Sequence, residues 1–229
     1  MISWSDTGIV ISVRNGWKAH SIVSIFTENH GSIPAICNHR NPISPFSNVC
    51  LDWRGKNETD LGFWRINDVR QNWVHCADFQ LHVNVCREIC LLLNETLPTG
   101  IPHPALFHLV HHIANDLHSL SKIEALKTYA YFEFLLLKVT GFGFDLRTCG
   151  VCNRCEPIEF ISSKTGYGIS NKCATNTTDQ MFRIPRIWKE WEAHTLDQNE
   201  INQSLTITNF FIRKHLLYPH FIRPLFESR

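Results

Sequence analysis

The sequence predicts an α+β protein in two parts, a small five-stranded β-barrel followed by a helical domain. Two observations carry this prediction. Five short apolar or alternating runs fall before residue 77, and after it the apolar residues recur at helical spacing. Near the middle, a long apolar helix stops at a glycine and hands over to a cysteine cluster in YAYFEFLLLKVTGFGFDLRTCGVCNRC, residues 129–155.

In the barrel region, TGIVISVR (7–14) sets Ile9, Ile11 and Val13 against smaller or polar neighbours, the two-residue period of a strand. HSIVSIFT (20–27) is a second β-branched run, and ENHGS makes a hairpin-like turn into GSIPAIC, where Pro34 marks an edge or an irregularity. NHRNPISPF is punctuated by two prolines and two asparagines and reads as a loop. Residues 47–54 and 61–70 give two more strands, joined by the polar RGKNETD. Five short strands in so few residues point to a closed barrel, of which the oligonucleotide-binding (OB) fold is the common five-stranded form.

Beyond residue 77, Cys86, Ile89, Cys90, Leu93 and Leu97 mark a first helix, closed by LPTGIPHP. Leu106, Leu109, Val110, Ile113, Leu117 and Leu120 mark a second, opened by Pro104. The third runs from about Ile123 to Thr140 and is apolar on nearly all sides, as befits the centre of a core. Glu133 inside it calls for a basic or hydrogen-bonding partner. Gly141 and Gly143 suit the helix stop. Leu205, Ile207, Phe210, Phe211, Leu216 and Leu217 mark a last helix, stopped by Pro219. The expected division is a barrel at 1–77 and a helical domain at 78–229, with a cysteine-bearing insertion at about 147–180.

Composition narrows the function classes. The 229-residue chain is 44% hydrophobic and 19% charged, with 22 basic and 21 acidic residues, so charge alone does not announce a nucleic-acid binder. Arg213, Lys214, Arg223 and Arg229 give the end a modest basic character. MISWSDTGIV has no basic stretch ahead of an apolar run, so it does not read as a signal peptide. Nine cysteines over this length fit reduced thiols in a cytoplasm. His108 and His112 are four apart, but no Glu completes an H-E-x-x-H site; with His103, His111 and His118 they read as a partly exposed helix face. No G-x-S-x-G or phosphate-binding glycine loop is present, and nothing supports an enzyme.

The cysteines leave two readings open. Cys149-x2-Cys152 begins like a zinc site, Cys173 supplies a late ligand, and Asn176 stands where a second late cysteine would be. Cys149, Cys152, Cys155 and Cys173 close a tetrahedral site if the loop wraps around; otherwise the site has decayed and the thiols are merely packed.

WSDTGIVISV, FTENHG, LPTGIPHPALF, YFEFLLLKVTGFGFDLRTC and RKHLLYPHFIRPL, in that order, resemble the bacterial RecO recombination-repair family over nearly the whole chain. The resemblance implies an OB-fold DNA-binding domain and a helical domain with a zinc-knuckle-like segment. It implies a non-catalytic cytoplasmic, nucleoid-associated mediator that binds single- and double-stranded DNA and anneals complementary strands. Its implied partners are the C-terminal tail of single-stranded-DNA-binding protein and RecR, with which such proteins help load RecA; no membrane is involved. The chain departs from the family where the loop after the third strand offers only His39 and Arg40 in place of a Lys/Arg-rich stretch. The cations left to hold phosphates are Arg14, Lys18, Arg40, Arg54, Lys56 and Arg65, interleaved with Trp17, Trp53 and Trp64, which read as barrel core or, beside basic groups, as stacking surfaces, and Arg213, Lys214 and Arg223 near the end. The competing reading is a zinc-stabilised protein-interaction module with weak or lost DNA binding.

Overall fold

In a computed structural model, β1 (Ile2–Asn15) pairs antiparallel with both β2 (Ser21–Thr27) and β4 (Asn48–Gly55). The structure describes residues 1–16, 20–38, 43–57, 60–71, 79–175, 180–189, 191 and 197–216. With β3 (Gly31–Cys37) and β5 (Phe63–Arg70) the strands close in the order β1-β2-β3-β5-β4, every pairing antiparallel except the short parallel contact of β3 with β5. This is the five-stranded OB-like barrel that the sequence predicts.

The register differs in one respect from simple alternation. Val10, Val23, Ile25, Ala35, Leu51, Trp53 and Trp64 fill the barrel core, with Val13 packed partly against it. Ile9 and Ile11 are buried outside that cluster. An irregularity between Val10 and Ser12 lets both Val10 and Val13 serve one face despite their odd spacing. Beside it, Val10 N–H donates to Ser47 O at 2.9 Å and Phe46 N–H to Val10 O at 2.7 Å.

Trp53 fixes two glycines: a Cβ at Gly55 or Gly62 would run into its indole ring. At the β2–β3 turn the Asp6 carboxylate accepts from Asn29 N (3.0 Å) and Asn29 Nδ2 (3.0 Å) and pairs with His30 Nδ1 (2.8 Å), while Trp4 stacks on the His30 ring at 3.7 Å.

Helices α1 (Phe79–Thr96) and α2 (Pro104–Asp116) belong with the barrel: α1 packs along β1, the Phe107 ring meets Phe26 edge-on, and Asn48 Nδ2 donates to Asn115 Oδ1 at 2.9 Å. Among the described residues one compact unit ends at Ala125 and the other begins at Leu126.

Helix α3 (Lys122–Val139) opens on a capping box, with the Glu124 carboxylate accepting from Ser121 N (2.8 Å) and Ser121 Oγ (2.6 Å). It closes as the glycines predict. Gly141 sits at φ +88°, Phe142 N–H donates to Leu137 O at 2.8 Å and Gly141 N–H to Lys138 O at 3.3 Å, the paired bonds of a Schellman stop.

In the second unit, Tyr129, Phe132, Leu136 and Leu137 of α3 are buried, as are Leu205, Thr208, Phe211 and Ile212 of α5 (Gln198–His215). Glu133 is fully buried between them; Tyr129 Oη donates to its Oε1 at 2.7 Å and the Thr208 hydroxyl to its Oε2. Sequence reasoning calls for a basic or hydrogen-bonding partner, and these two hydroxyls are among the groups that serve. The stretch between α3 and α5, where the sequence expects the cysteine-bearing insertion, contains a three-stranded antiparallel sheet, order β7-β6-β8, made of β6 (Ile158–Ser162), β7 (Gly168–Ser170) and β8 (Met181–Arg183). A short helix, α4 (Asn171–Ala174), follows β7 directly.

Candidate nucleic-acid face and cysteine cluster

Strand parity decides which side chains of β1, β4 and β5 reach the outside. Ser3 pairs with Arg54 and Arg54 with Phe63; Ser5 pairs with Asp52 and Asp52 with Arg65; Thr7 pairs with Cys50 and Cys50 with Asp68. These rows form one outward surface. Arg54 and Arg65 are exposed on it, and Phe63 is 59% exposed directly across from Arg54. An uncovered aromatic ring on the same face as two arginines is the arrangement that stacks an unpaired base while holding its phosphates. Asp52 lies in the same surface; hydrogen bonds from Ser5 Oγ (2.7 Å) and Asn67 Nδ2 (3.2 Å), with the nearby Arg65 and Arg54 charges, hold its carboxyl below the usual value, so it stays ionised and offsets part of the positive field.

Of the tryptophans that the sequence leaves as barrel core or stacking surfaces, Trp53 and Trp64 are core. Trp53 is 1% and Trp64 5% exposed, both in the barrel core, with Trp64 Nε1 donating to Val23 O at 2.9 Å. Trp17 lies outside the described residues. Phe63 was missed because it neighbours Trp64 in sequence; a one-residue step in a strand reverses the face, and only the register tells which ring is outside.

Of the remaining cations, Arg14 is exposed near the far end of β1 and Lys56 is exposed just after β4. Lys18, Arg40 and Arg223 lie outside the described residues. In the second unit Arg213 is exposed, with Nε donating to Asn209 Oδ1 at 3.3 Å. Lys214 is engaged: its Nζ donates to Ser163 O (2.8 Å) and Lys164 O (2.9 Å) and lies 5.9 Å from the Phe210 ring centre. The histidine helix gathers no metal site among the described residues. His112 pairs with Asp116 at 2.7 Å and His108 with Glu28 at 3.6 Å, and both rings are largely exposed, as a solvated face would be.

The cysteine cluster is built by a tight turn and a strand end. Cys149 N–H donates to Arg154 O (3.0 Å), Asn153 N–H to Cys149 O (2.8 Å), and Gly150 N–H to Gly168 O (2.8 Å), which folds the Cys149–Cys152 loop against β7. The ligand atoms of Cys149, Cys152 and Cys173 then lie within 4.8 Å of one another. Tetrahedral Zn–S bonds of ~2.3 Å place sulfurs about 3.8 Å apart, so a small closure suffices. Burial opposes ionisation of Cys149, but hydrogen bonds from the Ser170, Cys152 and Val151 backbone amides outweigh it and bring its thiol down to about 6. The Ser170 hydroxyl acts to lower Cys173, yet its hydrogen bond with Cys152, burial and the neighbouring Cys149 charge leave that thiol raised. One ready thiolate beside two thiols can hold a zinc ion. Cys155, counted among four ligands from the sequence, is exposed and stands outside the group: the turn that gathers Cys149 and Cys152 carries the chain away before residue 155. Among the described residues no His, Asp or Glu joins the three. Asn176 lies outside the described residues.

The comparisons with known proteins agree with this architecture. Residues 86–220 match the family model described as "Recombination protein O C terminal". The whole chain aligns at 27% identity with 96% of the DNA repair protein RecO of Cereibacter sphaeroides and, at the same identity, with 95% of that of a Ruegeria species. The RecO protein of Anaplasma marginale aligns at 26% identity over 94% of this chain and 92% of its own length. The family match alone spans more than half of the chain, and the barrel and cysteine cluster lie where the sequence resemblance expects them: this chain belongs to the RecO family of DNA repair and recombination proteins.

Proposed function

We propose that the protein is a non-catalytic recombination mediator that binds single- and double-stranded DNA and anneals complementary strands. In this reading it contacts the C-terminal tail of single-stranded-DNA-binding protein and, with RecR, promotes loading of RecA in the cytoplasm, at the nucleoid. The observation that carries it is the outward surface of β1, β4 and β5, with Phe63 exposed opposite Arg54 and Arg65 on the same face, on a barrel of OB-like order. For the acidic tail, a basic group beside exposed apolar rings is the matching chemistry. In the second unit, Phe210 is 37% exposed near Lys214 and Phe142 stacks on His215 at 4.7 Å. We infer that one structural zinc sits on Cys149, Cys152 and Cys173.

The test is annealing of complementary oligonucleotides coated with single-stranded-DNA-binding protein. Wild type should accelerate it, and Arg54→Ala with Arg65→Ala should slow it and flatten the salt dependence of single-strand binding by about 1.4 units. A second reading, a protein-interaction module with weak or lost DNA binding, draws support from Asp52 and Asp68 on that same surface. Single-strand binding that is absent, or indifferent to salt, would favour it.

A further inference from the structure

The three sulfurs of the cysteine cluster arrive on two segments. Cys149 and Cys152 come from the tight turn, and Cys173 comes from α4, just past the end of β7. Ser170 belongs to the second segment, as the last residue of β7 and the residue that precedes α4. It also reaches the first: its backbone N–H donates to Cys149 Sγ at 3.4 Å.

The Ser170 hydroxyl lacks the task a serine has at this position. An N-cap oxygen ordinarily accepts from an amide of the first helical turn, and here it makes no such bond. The residue is 1% exposed, and its Oγ is buried with no hydrogen bond of full geometry among the described residues. An idle buried hydroxyl carries a desolvation cost, which a strong acceptor returns when one forms beside it. Sulfur is what lies there. Among the influences on the Cys173 thiol the Ser170 hydroxyl is the largest and favours the thiolate, although the hydrogen bond with Cys152, burial and the Cys149 charge keep that thiol raised.

A thiol is a weak acceptor, whereas the thiolate that binds a metal accepts strongly. Three thiolates on one zinc ion leave a surplus of negative charge. Donors just outside the ligands disperse that charge, fix each ligand's orientation and tune the affinity. Backbone amides already serve Cys149, and the Ser170 hydroxyl is placed to serve Cys173. We propose that Ser170 is the positioning residue of the cysteine site, its amide holding the Cys149 sulfur and its hydroxyl donating to the Cys173 thiolate when metal binds. The proposal rests on the zinc reading above and deepens it: one residue that ligates nothing ties the two ligand-bearing segments together.

The test titrates the full-length, reduced, metal-free protein with zinc against a coloured chelator, and with cobalt(II) followed by its thiolate-to-metal charge-transfer band. Ser170→Ala should weaken zinc binding about tenfold, the lower end of what loss of an outer partner does to a metal site. It should also shift the charge-transfer band, and Ser170→Thr, which keeps the hydroxyl, should restore both. Wild-type protein loaded with NMR-active cadmium gives a second readout that needs no variant: the Ser170 hydroxyl proton should couple to the metal through the Cys173 sulfur. Where Ser170→Ala folds poorly, that coupling decides. Equal affinity and an unchanged band in Ser170→Ala overturn the role of Ser170 and leave the zinc site standing. A weakened Ser170→Ala that Ser170→Thr does not rescue, in a wild type without the coupling, places the effect in packing and overturns it as well. Wild type that takes up neither zinc nor cobalt overturns the zinc reading itself.

Discussion

At the scale of single residues, Glu133 carries the strongest constraint. A carboxylate with no exposure is held by the Tyr129 and Thr208 hydroxyls, one from each of two helices. Hydrogen bonds to charged groups contribute about 1.5–3 kcal/mol each. Tyr129→Phe and Thr208→Val should each lower stability by about that amount in urea unfolding. The double variant should fall short of the sum, because both hydroxyls serve one group. Additive losses would mean that the two bonds act independently. The sequence showed that Glu133 needed a partner, since a lone carboxylate in an apolar helix cannot stay unsatisfied. It could not name the partner, because Thr208 is 75 positions away.

At the scale of elements, the segment between the α3 stop and the cysteine turn is pinned by Asp145. Hydrogen bonds from the Thr148 hydroxyl and the Arg147 amide hold its carboxyl below the ordinary 3.8. A folded value below the unfolded one contributes stability that is present above the unfolded value and fades as pH falls through the folded one. Asp145→Asn should therefore melt below wild type near neutral pH, and the two should converge as the pH falls through the lowered folded-state value. A gap that persists in acid would place the effect in packing. The five barrel strands and helices α1, α2 and α5 were legible because each carries a period of two or 3.6, and α3 because it is apolar on nearly all sides up to its glycine stop. The β6–β8 sheet was not, since three- and five-residue strands are too short to show any period. The nucleic-acid face was half legible: Arg54 and Arg65 stood out as cations, but Phe63 and the two tryptophans exchange roles with strand parity.

At the scale of the whole molecule, the cysteine cluster tests how metal and folding are linked. Purified protein should carry about one zinc per chain, and a strong chelator should lower its melting temperature. Cys152→Ser or Cys173→Ser should release the metal, whereas Cys155→Ser should keep it, because only the first two lie in the cluster. Retention by all three variants would remove the assignment. The sequence supplied four cysteines, and spacing alone could not say which of them the turn at Asn153 (φ +56°) brings together.

The barrel is closed by an unequal seam. β1 and β4 share eight register pairs, whereas β3 and β5 meet at only two, Ile36 with Phe63 and Cys37 with Trp64, reinforced by Ile36 N–H donating to Gly62 O at 3.0 Å. So short a pairing opens at less cost than the rest of the cylinder. Deuterium should therefore enter the Ile36 amide through local breathing, well before it reaches the Ile25 or Leu51 amides, and added single-stranded DNA should slow that entry if a base stacked on Phe63 latches the seam. In that case the ring that meets the nucleic acid also sits on the barrel's gate, and occupancy would be felt as rigidity across a joint that the protein alone leaves loose.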